Sequence, residues 1–193
     1  NEDAGGVSVS GWATGISTGA TNETAQSVYF EVTNNTNTAL FSVAPAVSPT
    51  GTLTYTAAPD ANGEATISIR IRDTGGTDFG GIDTGVTQTF KITVDPVNDA
   101  PSFDPGADIT EYEHDLVHSY PGWATNMVVG PSNESAQTYE FILTHDNPGL
   151  FDIAPAVATD GTLSFTLNNH VSGVAHVKVT MKDSGDTLNG DKD

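Results

Sequence analysis

The sequence predicts an all-β chain built as two tandem Greek-key β-sandwich domains. Three observations lead there: an internal duplication at a period of about 110 residues, strict apolar–polar alternation in short runs, and Gly, Pro, Asn and Asp punctuation between the runs.

The duplication is read directly. Gly11-Trp12-Ala13-Thr14 returns as Gly122-Trp123-Ala124-Thr125, and Asn22-Glu23-Thr24-Ala25-Gln26 as Asn133-Glu134-Ser135-Ala136-Gln137, both 111 positions on. At an offset of 110, Leu40-Phe41 matches Leu150-Phe151, Ala44-Pro45-Ala46-Val47 matches Ala154-Pro155-Ala156-Val157, and Gly51-Thr52-Leu53 matches Gly161-Thr162-Leu163. Asp73-Thr74-Gly75 matches Asp183-Ser184-Gly185. The window is cut out of phase with the repeat, because residues 86–112 have no second copy. Repeat one is expected over 1–96, lacking its first strand, and repeat two over 97–193, lacking its last, the counterpart of Val86 to Val94. An unpaired strand position predicts either a longer chain or a strand supplied by a neighbour.

The strands follow from alternation and β-branched or aromatic content. They are expected near 7–12, 27–33 and 40–43, with copies near 117–123, 138–144 and 150–153. Leu53 and Tyr55 flank Thr54, as Leu163 and Phe165 flank Ser164. Ile67, Ile69 and Ile71 alternate with Ser68, Arg70 and Arg72, and Val177, Val179 and Met181 alternate with Lys178, Thr180 and Lys182. Phe90, Ile92 and Val94 alternate across Lys91 and Thr93. No stretch has helical period with suitable caps. About seven strands per repeat suits a Greek-key sandwich. Trp12 and Trp123 read as plugs between sheets rather than exposed sugar platforms.

Composition narrows the function. The 193 residues hold 25 acids, 6 Lys plus Arg, 5 His and no Cys, for a net charge of −19. Such a chain is not built to bind nucleic-acid phosphates. No apolar run of about 18 residues is present, so no membrane insertion is expected in this segment. Without Cys there is no disulfide and no thiolate zinc site. No nucleophile elbow and no placed carboxylate pair is found, so an enzyme is not expected. All five His fall in repeat two and read as surface residues. Asp60, Asp73, Asp78, Asp83, Asp95, Asp99 and Asp183 fall where strands end. Carboxylate and amide oxygens are what Ca²⁺ prefers, although a solvated acidic surface explains the same composition.

Asp95-Pro96-Val97-Asn98-Asp99-Ala100-Pro101 resembles the cadherin interdomain linker, and the Val-Asn-Asp-Ala-Pro form is typical of cadherin-like and immunoglobulin-like repeats in large bacterial surface adhesins. Asn1-Glu2-Asp3-Ala4 is similar to the first-strand x-Glu-x motif, and Ile71-Arg72-Asp73-Thr74-Gly75 to Ala-x-Asp-x-Gly. Asp60-Ala61-Asn62-Gly63 stands where cadherins carry Leu-Asp-Arg-Glu, without its Arg-Glu half. Leu40-Phe41-Ser42-Val43 with Gly51-Thr52-Leu53 is similar to the Phe-x-Ile…Gly-x-Ile stretch.

The resemblance implies Ca²⁺ at domain junctions. It assigns Glu2, Asp60 and Asn62 from repeat one, Asp95, Asn98 and Asp99 from the linker, and Asp183 from repeat two. The cadherin Asp-x-Asp is replaced by Ala124-Thr125, with Asn133 and Glu134 just after as substitute oxygen ligands. Asp73 and Glu113, the second copy of Glu2, would serve junctions at the outer ends. The implied protein is part of a repetitive extracellular, cell-surface adhesin or filament, stiffened by one to three Ca²⁺ ions at the linker, with neighbouring repeats or neighbouring subunits as partners. The alternative is a carbohydrate-binding or spacer module of a secreted multidomain protein. Surface glycans would then be the partner and Tyr112, Tyr120 and Tyr139 the aromatics to check.

Overall fold

The computed structural model describes residues 1–114 and 116–185. The chain divides into two compact units, Asn1–Val97 and Asn98–Asp193. Both are all-β, and among the described residues no helix is long and apolar enough to cross a membrane.

Unit 1 has six strands: β1 (Gly6–Val9), β2 (Val28–Asn35), β3 (Phe41–Val47), β4 (Leu53–Ala57), β5 (Gly63–Asp73) and β6 (Gln88–Val94). They form two three-stranded antiparallel sheets, ordered β1-β4-β3 and β2-β5-β6. Alternation along β5 sends Ala65, Ile67 and Ile69 inward, and the register sets Ile67 opposite Phe90 and Ala65 opposite Ile92. Ala65, Ile67 and Ile92 meet Ala57 from the other sheet and Leu40 from the 3₁₀ turn before β3, and with Val94 they form a sandwich core, while Ile69 packs with Val47 and Leu53. Each large side chain buried this way contributes about 1.5–3 kcal/mol. The outward positions of β5 carry Arg70 and Arg72, which pair with Glu31 at 2.8 Å and Asp83 at 2.5 Å. The Arg72 guanidinium, then the Thr84 hydroxyl, hold the Asp83 carboxyl below its usual range.

Among its described residues unit 2 has seven strands: β7 (Ser102–Asp104), β8 (Val117–Tyr120), β9 (Thr125–Val128), β10 (Tyr139–His145), β11 (Phe151–Val157), β12 (Leu163–Leu167) and β13 (Val177–Asp183). The sheet β8-β12-β11 repeats β1-β4-β3, and the pair β10-β13 repeats β2-β5. The pair β7-β9 is new. The sequence reading missed both of its strands. In unit 1 the stretch matching β9, Thr14 to Ser17, is not a strand, and no described strand there corresponds to β7.

The repeated motifs have local causes. Gly51 and Gly161 take φ of 85° and 82°, and a Cβ there would collide with the carbonyls of Ala13 and Ala124. The same contact carries a hydrogen bond, Ala13 N–H to Gly51 O at 3.0 Å and Ala124 N–H to Gly161 O at 2.9 Å. The Gly-Trp-Ala-Thr and Gly-Thr-Leu blocks therefore recur together because they touch. Pro45 and Pro155 lie in edge strands β3 and β11, where the register shifts in each copy and a missing N–H is tolerated. Trp12 packs tilted against Phe90 at 4.5 Å between centroids, and Trp123 packs against the unit 2 core while its indole N–H donates to Ala107 O at 3.2 Å. Helical content is limited to single 3₁₀ turns such as Ser132–Glu134.

Ile67 is 0% exposed and central to the unit 1 core. Ile67→Ala is expected to cost about 2–5 kcal/mol, read as a lower urea midpoint of unit 1 with an unchanged slope.

Candidate functional site

The acids singled out by the sequence fall into separate groups. In unit 1 the Glu2 carboxylate is only 2% exposed. Its Oε1 accepts the Val97 N–H at 2.9 Å and its Oε2 accepts the Asn62 side-chain amide at 3.1 Å. The Glu2 N–H in turn donates to Asp95 O at 3.1 Å. Asp95 thus contributes its carbonyl, while its side chain is exposed. Asp60 is exposed in the turn before β5, with φ of 56°, and His170 takes the equivalent turn position at 60°.

Unit 2 gathers a larger group at one end of β13. Asn98, Glu134 and Asp183 are all buried, the last only 3% exposed. Asp183 Oδ1 accepts the Asn98 amide at 3.2 Å and the Gly185 N–H at 2.7 Å. The Gln137 amide donates to Asn98 Oδ1 at 2.7 Å, and the Asp99 N–H donates to Glu134 Oε1 at 3.0 Å. Asp183 Oδ2 and Gln137 Oε1 are buried with no hydrogen-bond donor. No Lys, Arg or His among the described residues pairs with Asp183. A buried carboxylate oxygen with neither donor nor cation costs on the order of 1–3 kcal/mol or more.

The fit to a hard cation is a question of donor chemistry. Carboxylates, side-chain amide oxygens and backbone carbonyls are the Ca²⁺ donor set, and the donorless Asp183 Oδ2 lies among them. No group of three or more His, Cys, Asp or Glu suited to a metal is present among the described residues. A cation at this end would therefore draw on Asn98 and Gln137 as well as on Asp183 and Glu134.

Unit 1 keeps the same constellation in a more open form. Asp73 Oδ1 accepts the Gly75 N–H at 2.7 Å, and Gln26 is packed against Gly75 with its Oε1 lacking a donor. Glu23, however, is turned onto the Ala20 N–H at 2.8 Å. Its copy Glu134 follows Pro131, which has no N–H to offer, and reaches Asp99 instead. Asp73 lies at the opposite end of the 11-residue β5 from Gly63, so it shares nothing with Glu2. Asn133 is exposed beside Glu134. Glu113 is exposed in a turn of unit 2, unlike its copy Glu2. Gln26 and Gln137 were not among the expected ligands. Their signal was the conserved spacing of Gln three residues after Glu in both copies.

The three tyrosines separate. Tyr112 is 76% exposed and stacks on His114. Tyr139 donates to Thr159 O at 2.7 Å and packs edge-on against Phe141. Tyr120 packs on Phe165 and donates to Glu111. His118, read as a surface residue, is buried between Tyr120 and Phe165 because it faces inward from β8. No protein-family model matches this chain, and no curated protein matches it.

Burial, and then the Glu111 carboxylate that accepts its hydrogen bond, push the Tyr120 phenol from 10.0 up to about 12. The folded state thus favours the neutral phenol, a contribution present below pH 10 and lost as pH rises through about 12. Absorbance titration near 295 nm is expected to show Tyr120 ionising last, and Glu111→Gln is expected to recover only part of the shift because burial dominates.

Proposed function

We propose that the chain is a tandem adhesive or filament-forming module of an extracellular surface protein, whose linker is stiffened by Ca²⁺. The observation that carries this reading is the buried Asp183 carboxylate, with an oxygen that no donor meets, set among Asn98, Gln137 and Glu134. The linker resemblance points the same way, and the absence of a placed nucleophile or acid pair in the sequence agrees with a non-catalytic role.

The residues explain how a linker stiffens. Val97 is fastened within unit 1 by the Glu2 carboxylate. Asn98, the next residue, is fastened within unit 2 by Asp183 and Gln137. The second fastener leaves Asp183 Oδ2 buried without a donor. A bound Ca²⁺ supplies the positive charge that offsets that carboxylate and fixes the donor oxygens in place. In unit 2, Asn98, Asp99, Glu134, Gln137 and Asp183 are the residues that would hold it, and in unit 1 Glu2 and Asn62 form a separate group of oxygen ligands.

Calorimetric titration is expected to give a Kd of about 10⁻⁴–10⁻³ M, with Asp183→Asn weakening it about tenfold or more. Small-angle scattering of the same chain is expected to give a larger maximum dimension in Ca²⁺ than in EDTA. An unchanged dimension contradicts the stiffening role.

A further inference from the structure

The chain holds two Asp–Pro peptide bonds, Asp95–Pro96 and Asp104–Pro105. This dipeptide carries its own nucleophile. The Asp carboxyl reaches its own main-chain carbonyl carbon by closing a five-membered ring, so the attack is intramolecular. The Pro nitrogen has no N–H to commit elsewhere and leaves as a basic secondary amine. The two bonds stand in different surroundings. Asp95 and Pro96 follow β6, and both are exposed. Glu2 holds this bond from both sides: its N–H donates to Asp95 O at 3.1 Å, and its Oε1 accepts the Val97 N–H at 2.9 Å. Glu2 is itself buried, with Oε2 on the Asn62 amide, so the clamp is fixed while the Asp95 side chain lies outside it. The Glu2 N–H meets the very oxygen on which negative charge grows during the attack. At Asp104–Pro105 the nucleophile is engaged instead. Asp104 ends β7, and its Oδ2 accepts the Asn126 amide at 2.7 Å.

We propose that Asp95–Pro96 is a self-cleavage site, where the chain cuts itself between β6 and Asn98, the residue at which unit 2 begins. A carboxyl oxygen of Asp95 bonds to the Asp95 carbonyl carbon, and the carbonyl oxygen, held by the Glu2 N–H, takes up the developing charge. The tetrahedral centre then collapses. The C–N bond to Pro96 breaks, and the carboxyl proton ends on the Pro96 nitrogen. The products are a cyclic anhydride at Asp95 and a free secondary amine at Pro96. Solvent water, which reaches both exposed residues, opens the anhydride to two carboxyls. Water is the co-reactant, and the step draws on Asp95, Pro96 and Glu2, so it stands apart from any Ca²⁺ at Asp183.

The full chain is held in mildly acidic buffer with EDTA, at a temperature where circular dichroism shows it folded, and is sampled by gel and by intact mass. The expected products are residues 1–95 and 96–193, the second with the N-terminal sequence Pro96-Val97-Asn98. The 95–96 bond is expected to break about tenfold or more faster than the 104–105 bond, since one placed donor is worth at least that much. In urea, where neither Glu2 nor Asn126 is held in place, the 95–96 rate is expected to fall and the two rates to converge. Asp95→Ala and Pro96→Ala are each expected to remove the cut. The comparison of two bonds in one folded chain, and of the same chain in urea, stands even should a variant unfold. No cut at 95–96 in the folded chain, equal rates at the two bonds, a 95–96 rate that does not fall in urea, or a cut that survives in Asp95→Ala would each overturn the proposal.

Discussion

With 25 acids against 6 Lys and Arg, most carboxylates in this chain must be met by water or by a hydrogen-bond donor. That constraint organises the molecule. The cations of unit 1 are spent on exposed or half-buried acids of one sheet: Arg70 on Glu31, Arg72 on Asp83, and Lys91 on Glu64. Glu2 is buried in unit 1 and Asp183 in unit 2, and each is met by amides of its own unit: the Val97 N–H and Asn62 for one, the Gly185 N–H and Asn98 for the other. Dipoles soften a buried charge but do not cancel it.

Duplication lets the molecule serve as its own control. Ala20 and Pro131 occupy matching positions, and the loss of one N–H redirects a glutamate from its own 3₁₀ turn to the backbone of Asp99. β5 and β13 match in sequence pattern, yet among the described residues β5 pairs with β2 and β6 and β13 with β10. The alternating Ile67, Ile69 and Ile71 and Val177, Val179 and Met181 are equally competent to form a strand. Whether the inward residues become buried depends on the neighbour.

That is also where the sequence stopped being legible. Strands with strict alternation and turns with positive-φ glycine were readable, because each rests on local chemistry. So was the placement of Asp73 and Asp183 at strand ends. The pair β7 and β9 was not readable, because Ser102–Asp104 is short and its strand state depends on Thr125–Val128, some twenty residues away. Gln137 escaped because amide side chains are common in loops, and only the fold brings this one to Asn98. The burial of His118 likewise follows from the register of β8 on β12, which sets it opposite Phe165.

The most direct measurement of the central claim is a Ca²⁺ titration of the isotopically labelled chain followed by NMR. The account predicts that the backbone amides of Asn98, Asp99, Asp183 and Gly185, with the side-chain amides of Asn98 and Gln137, move together and saturate in the range of about 10⁻⁴–10⁻³ M. If these resonances stay still through about ten times that range while only exposed acids such as Asp60 and Asp95 respond, Ca²⁺ acts on the surface charge alone and the account is wrong.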